Sequence, residues 1–378
     1  MNYDFDTTPE RKETYSFKWQ KYAGTSILPA WVADTEFRCA QPILDAISER
    51  ITHGNLGYTL PAQYDPAKKA VVNWLARKHN WAISPDWIVW TPGVVPAFNV
   101  TCKAFGGQGG DILIQSPNYP PLLAAPKLNG QQRRDILTVL NDGRYTLDFD
   151  QLEQDARRPE CKLMILCNPM NPVGSVMSED EINRVADICD RHDVILCSDE
   201  IHCDLILEEG LHHIPAGRVD ALTSRSITLM AASKTFNVAG LGTSFAIIPD
   251  NRLRVQFTQA AAGIVPWANI LGLVATEAAF THCDDWLSAQ LRYLRKNRDT
   301  LTNAINGISG LNMTAPQATF LAWIDASGLG VADVQEWAEA RGVGPSPGKD
   351  FNAPDFFRIN FGCSHAMLED MINRLSSN

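Results

Sequence analysis

The feature that most constrains this chain is a series of short, near-continuous apolar runs, separated by amphipathic stretches, through its centre. Asp111–Gln115, Lys162–Cys167, Val194–Ser198, Ser226–Met230 and Ser244–Ile248 each read as a buried strand. Runs of this kind and length predict a mostly parallel sheet covered by helices on both faces. Between the second and third runs, Ser178-Glu-Asp-Glu181 is a capping box opening a helix. Behind it Ile182, Val185, Ala186 and Cys189 repeat at helical spacing. Residues 162–198 therefore form a β-α-β unit, which is right-handed in nearly every protein. Ligands of such sheets sit beyond the carboxyl ends of the strands. The chemistry is expected just after these runs.

The last third reads differently. Asp284 is expected to cap a long helix with Leu287, Leu291, Leu294 and Leu301 on one face and Gly307 at its end. Strand-like Thr319–Ile324 follows, then a helix over Val331–Arg341 stopped by Gly342, strand-like Phe356–Phe361, and a final helix after Ser364. This is an α+β arrangement, and 378 residues exceed a single core. The expected division is an N-terminal arm with part of a small domain (1–48), a large domain (49–270) and a small C-terminal domain (271–378). No repeat or low-complexity tract interrupts it.

A net charge of −10 argues against nucleic acid or an anionic membrane as partner. No apolar run is long enough to cross a bilayer, and the polar, acidic start MNYDFDTTPERKE is unlike a targeting peptide. Nine scattered cysteines without a C-x-x-C pair fit reduced thiols in the cytoplasm and offer no structural zinc site.

Three segments end strand-like runs with polar, turn-forming residues: Cys167-Asn-Pro-Met-Asn-Pro-Val-Gly174, Ser198-Asp-Glu-Ile-His202 and Ala231-Ala-Ser-Lys-Thr-Phe-Asn237. Taken singly each is weak, because a lysine after a strand is usually solvated, an aspartate there is usually a cap, and Asn-Pro pairs make rigid turns. Their order and spacing carry more.

With these segments the chain resembles the fold-type I pyridoxal-phosphate (PLP) enzymes of the class I/II aminotransferase family. It is most similar to their MalY/PatB branch of cystathionine β-lyase-like carbon–sulfur lyases. The resemblance runs nearly end to end, through Tyr3-Asp-Phe-Asp6, Lys18-Trp19, Trp31-Val-Ala-Asp34, Gly93-Val-Val-Pro-Ala97, Ser116-Pro-Asn-Tyr119, Asp199-Glu-Ile-His202, Ser233-Lys-Thr-Phe-Asn237, Trp286-Leu287, Tyr293-Leu294 and Phe357-Arg-Ile-Asn360. It implies an aspartate-aminotransferase-like α/β fold, with a mostly parallel mixed sheet between helices and a smaller α+β domain.

It also implies roles. Lys234 matches the lysine that carries PLP as a Schiff base and then serves as the base at the substrate Cα. Asp199 matches the carboxylate that keeps the pyridine nitrogen protonated, making the ring an electron sink. Asn171 matches the amide on the ring's phenolic oxygen and also borders the substrate. His202 stands where many relatives have a tyrosine contacting that oxygen, and a core histidine bonded to backbone remains open. Tyr119 matches the aromatic stacked on the ring, with a plain hydrophobic anchor as the alternative. Val94 and Val95 begin a helix whose free N–H groups cradle the phosphate. Tyr58 matches a tyrosine reaching the neighbouring subunit's phosphate, implying a homodimer with shared sites. Arg358 matches the arginine that grips the substrate α-carboxylate through two parallel hydrogen bonds.

Some positions depart from the pattern. Ala231 and Gly242 replace a serine and an arginine that bind phosphate in many relatives, which leaves the helix amides, Tyr58 and Ser233 to hold it. Thr35-Glu36-Phe37 stands where Met-Asp-Phe is expected, at what the resemblance places near the substrate entrance.

The expected reaction cleaves L-cystathionine or a related cysteine S-conjugate to a thiol, pyruvate and ammonia. Transamination of an L-amino acid, which uses the same lysine, aspartate and arginine, is the alternative. A metal hydrolase built on Asp199, Glu200, His202 and Asp204 with His212 and His213 is the rival from another class. Against it, Glu200 and His202 are expected on one face of a continuing strand, and the histidine pair lacks ligand register. A non-catalytic binding protein on the same scaffold is the third reading.

Overall fold

The computed structural model describes residues 3–377; the first two residues of the polar N-terminal stretch lie outside the described residues. After a two-residue strand β1 (Leu28–Pro29), the chain builds a large sheet. Its strands are β2 (Ile88–Thr91), β3 (Asp111–Ser116), β4 (Gln132–Asn141), β5 (Arg144–Leu147), β6 (Cys161–Cys167), β7 (Ile195–Asp199), β8 (Ser226–Met230) and β9 (Ser244–Ile247). They lie in the order β2-β9-β8-β7-β6-β3-β4-β5. The run from β8 to β4 is parallel, while β9 and β5 pair antiparallel with their neighbours. All five predicted central strands form, Ser226–Met230 with the expected bounds and the other four within one residue of them at each end.

The double-sided burial follows from alternation along each strand. Ile112, Ile114, Leu163 and Ile165 pack with Phe98, Val100 and Leu122 on one face. Leu113, Met164, Leu166 and Leu196 pack with Leu152, Ile182, Val185 and Cys189 on the other. The helix Glu179–Arg191 starts at the predicted capping box, with Ser178 Oγ accepting from Glu181 N–H (3.3 Å) and Glu181 Oε2 from Ser178 N–H (2.8 Å).

The C-terminal part adds β10 (Leu321–Asp325), β11 (Val343–Gly344), β12 (Ser346–Pro347) and β13 (Phe356–Asn360). β10, β13 and β12 make an antiparallel sheet, and β11 pairs with β1, tying the N-terminal segment to this part of the chain.

Here the sequence reading needs correction. The helix Asp284–Ile305 is preceded by Cys283 and has no side-chain cap; Asp284 lies in its first turn and binds Arg77 and Lys78 instead. Gly307 closes no left-handed turn there; the nearby positive φ belongs to Gly310. Thr319 is a turn residue with φ 74°, so β10 begins two residues later. The next helix begins at Val334, because Asp333 accepts from the N–H groups of Gln335 and Glu336. Gly342, with φ 79°, and the Ser364 cap stand as predicted.

Candidate active site

β6, β7 and β8 lie side by side, with Cys167 opposite Asp199 and Asp199 opposite Leu229. Their carboxyl ends therefore deliver three loops to one place, as the sheet topology requires. A cavity of about 790 Å³ opens there, lined among others by Asn171, Asp199, Lys234 and Arg358.

Lys234 Nζ donates to Ala33 O at 2.7 Å. Burial pushes its pKa down to about 8, with Arg358 adding to the effect and Asp34 and Asp199 opposing it. Asp199 is buried, and among the described residues its Oδ1 accepts only the N–H of Ile201 (3.2 Å). Burial lifts its carboxyl to about 7. Arg358, on β13, donates through Nη1 to Asn171 Oδ1 (2.8 Å), and through Nη2 to Trp31 O (2.7 Å) and Ser346 Oγ (2.9 Å). Its Nε finds no acceptor. Burial lowers its pKa to about 10, so it stays charged at neutral pH. Because Arg358 holds the Asn171 oxygen, the amide's Nδ2 is left free to donate.

His202 lines the same cavity, fully enclosed, with Nδ1 unpartnered. Burial, reinforced by the charges of Lys234 and Arg358, drops its pKa to about 3 and holds the ring neutral. The backbone-bonded core histidine considered above is not what the structure shows. Tyr119 is half-buried on the cavity wall, its hydroxyl pKa raised by burial.

At the other end, the helix Val94–Phe105 points its first turn into the cavity. Gly93 precedes it at φ 151°, ψ 160°, a backbone conformation essentially reserved for glycine. Ser233 and Thr243 border this end. Gly242 has φ 52°, and a Cβ there would meet Pro92 O at 3.3 Å, so an arginine at this position would be strained.

Two expectations do not gather here. Tyr58 is fully exposed and outside this cavity, 6.5 Å from the Trp267 ring. Thr35-Glu36-Phe37 is buried rather than at an entrance: Glu36 pairs with Lys18 (2.6 Å) and Arg11 (3.2 Å). The imagined metal set also separates. The chain turns after Asp199 rather than continuing as a strand, so His202 faces the cavity while Glu200 and Asp204 face away, and His212 is exposed. Ligand atoms of His79, Cys203 and Asp204 do lie within 4.8 Å of one another, but His79 Nε2 closes onto Asp204 Oδ1 at 2.9 Å.

Residues the motifs did not flag are the Trp31 and Ala33 carbonyls, Ser346 and Thr243. Trp31-Val-Ala-Asp34 stood out as a signature without a role; nothing in the sequence marks Ser346.

Residues 33–375 match the family model of class I and II aminotransferases. The chain belongs to that family. Cystathionine β-lyase PatB of Bacillus subtilis (strain 168) is 35% identical over 385 residues, covering 99% of each chain. The crystal structure of OvoB superposes with a TM-score of 0.96 at 43% identity, covering 99% of this chain and 98% of that one. Cystalysin from Treponema denticola, whose crystal structure contains a pyridoxal 5'-phosphate cofactor, gives 0.94 at 31% identity, covering 100% and 98%. Family membership thus accounts for the ordered motifs, and the PatB/MalY-like resemblance holds over the full length.

Proposed function

We propose that this chain is a PLP-dependent carbon–sulfur β-lyase that releases a thiol, pyruvate and ammonia from L-cystathionine or related cysteine S-conjugates. The observation that carries the reading is one cavity holding an amine of lowered pKa, a buried carboxylate and a buried guanidinium. The donor set fits the cofactor. An aldehyde needs the Lys234 amine, a pyridine nitrogen needs the Asp199 carboxylate, and a phosphate needs the N–H groups at Val94 and Val95 with the Ser233 and Thr243 hydroxyls. Tyr119 offers an aromatic face, and Asn171 Nδ2 and His202 offer polar contacts for a phenolic oxygen.

When bound, the cofactor supplies an electron sink for the charge left at Cα. Arg358 binds the substrate carboxylate, held in place by its bonds to Asn171, Trp31 and Ser346. The unpartnered Nε is a donor already desolvated for that purpose. Lys234, lowered toward neutrality by burial, takes the proton from Cα; the Ala33 carbonyl fixes where its nitrogen starts. The Asp199 carboxylate would hold the proton of the cofactor's ring nitrogen. Loss of the Cα proton and of the Cβ–sulfur electron pair to the departing thiolate leaves a Cα=Cβ bond. Water then yields pyruvate and ammonia.

The test is pyruvate release from L-cystathionine with no keto acid added, together with an absorbance band near 400 nm that Lys234→Ala removes. A colourless protein, even after PLP is supplied, would refute the reading. Turnover of an amino/keto acid pair without pyruvate would mark an aminotransferase instead.

The same reading includes a cytoplasmic homodimer in which Tyr58 reaches the partner's phosphate site. It is supported by nine free cysteines and by exposed Leu56, Tyr58 and Trp267, which line one apolar surface cleft. No helix among the described residues is long and apolar enough to cross a membrane. Light scattering at the mass of one chain would remove the dimer.

A further inference from the structure

Behind the turn that carries Asp199 and His202 lies a layer of buried ionisable groups with no contact to the cavity. Glu200 is fully buried, its Oε2 2.7 Å from His213 Nε2 and its Oε1 accepting the N–H of Ala216 at 2.8 Å. Four residues on, Asp204 Oδ1 accepts from Trp74 Nε1 (3.0 Å) and lies 2.9 Å from His79 Nε2. His213 is as buried as Glu200, and His79 nearly so. The two imidazoles meet edge to face at 5.7 Å, so the pairs form one continuous block.

Such a block is a poor way to stabilise a core. Buried ion pairs and polar networks are often matched or bettered by apolar residues of similar volume, whereas removing one partner of a buried pair is costly because it strands the other. Both imidazole Nδ1 atoms lack partners, so the arrangement leaves polar capacity unused. What the block does is pin both ends of the segment 200–204 from behind. Asp199, just before the segment, and Ile201 and His202 within it stand on the cavity wall. The backbone ties the start of the segment to β8 through Glu200 N–H to Leu229 O (2.9 Å). Past that point it adds the short-range bonds Cys203 N–H to Glu200 O (3.0 Å) and Leu205 N–H to His202 O (2.9 Å), so the Asp204 end relies on its side-chain partners.

We infer that the Glu200–His213 and Asp204–His79 pairs are positioning residues, which hold the Asp199 carboxylate and the His202 ring in register with the cofactor. This inference rests on the PLP reading of the cavity. Each imidazole nitrogen facing a carboxylate carries its hydrogen, which makes Nε2 the bonded position and fixes the ring. Removing His213 leaves Glu200 buried beside Asp199 with only the Ala216 N–H. The segment then moves, and the Asp199 oxygens with it. Groups that orient the ligands of metal sites are worth about 10–100-fold in activity, and an effect at the lower end of that range is expected for groups that orient Asp199 and His202.

The test uses the holoenzyme. His213→Leu is expected to lower kcat by about tenfold or more, with KM for cystathionine within a factor of about three because Arg358 is untouched. It is also expected to shift the visible cofactor band. His213→Gln, whose amide nitrogen can stand in for Nε2, is expected to restore most of both. Wild-type kcat and spectrum in folded His213→Leu would overturn the inference. If that variant does not fold, Glu200→Gln takes its place, since its oxygen keeps the Ala216 bond and its volume is unchanged; a fall in kcat supports the inference and wild-type behaviour overturns it. Wild-type protein that shows neither band nor pyruvate defeats the PLP reading, whereas a normal wild type with silent variants defeats only this inference.

Discussion

Replacing Asp199 with asparagine is expected to stabilise the cofactor-free protein while destroying its activity. The carboxyl is buried with one backbone donor, and its pKa stands at about 7 against an ordinary 3.8. The sign follows from linkage. A carboxyl raised on folding binds its proton more tightly in the folded state, so folding is penalised wherever the unfolded chain has already released it. The penalty is absent below pH 3.8, grows between 3.8 and about 7, and is constant above. At about 1.36 kcal/mol for each pH unit, it amounts to about 1.5 kcal/mol at pH 5 and about 4 kcal/mol at pH 8.5. The substituted amide keeps an acceptor for Ile201 N–H and has no charge to desolvate. Urea unfolding of the stripped proteins at the two pH values measures the difference between variant and wild type, which cancels every titration the substitution leaves alone. The advantage of Asp199→Asn is expected to widen by about 3 kcal/mol from pH 5 to pH 8.5. A gap that stays constant would show that Asp199 is solvated or paired, and the argument for its facing a ring nitrogen would fall with it.

Lys234→Met tests the opposite ionisation: a lowered lysine pKa penalises folding below about pH 8 and the penalty fades by pH 10.5, so the stripped variant should gain roughly 3 kcal/mol at pH 6 and almost nothing at pH 10.5, seen in the same urea titrations. Arg358→Lys should lower kcat/KM for cystathionine by about 100-fold, mostly through KM, because a single ammonium cannot replace the planar fork. An unchanged KM would place the carboxylate elsewhere. Ser178→Ala should lose about 1 kcal/mol in chemical denaturation by removing the cap from Glu181 N–H. Of the nine thiols, all but the partly exposed Cys39 are buried, so a thiol reagent should titrate one quickly in the native protein and nine after unfolding.

The elements legible in the sequence were those whose signal is local. Strand burial on two faces forces continuous apolar runs, and the Ser178 box states its helix start in four residues. Asn171, Asp199 and Lys234 were legible as a set because each lies at or just beyond the carboxyl end of a strand, where the sheet itself assembles them. What could not be read depends on distant pairing. Arg358 meets Asn171 across 187 positions, and the Trp31 and Ala33 carbonyls act through backbone that any residue type would supply. Asp284 looked like a cap because composition cannot tell a first-turn acid bound to Arg77 and Lys78 from one bound to free N–H groups. His79 and His213 carried no local pattern, since their carboxylate partners arrive only when the turn after β7 folds back.

The three charged groups of the cavity share a direction that explains why it is built as it is. Asp199 is raised, Lys234 lowered and Arg358 lowered, each chiefly by burial and each toward its uncharged form. Were they arranged to stabilise the fold, they would neutralise one another; instead Arg358 opposes Lys234, and Asp199 only partly offsets its burial against that amine. The counter-charges missing from the protein are those the proposed ligands bring: a ring nitrogen that takes a proton, a carboxylate and an aldehyde that takes the amine. Desolvation completed during folding does not have to be repeated at the moment of binding, so the site loses stability when empty and gains selectivity for a ligand of complementary charge.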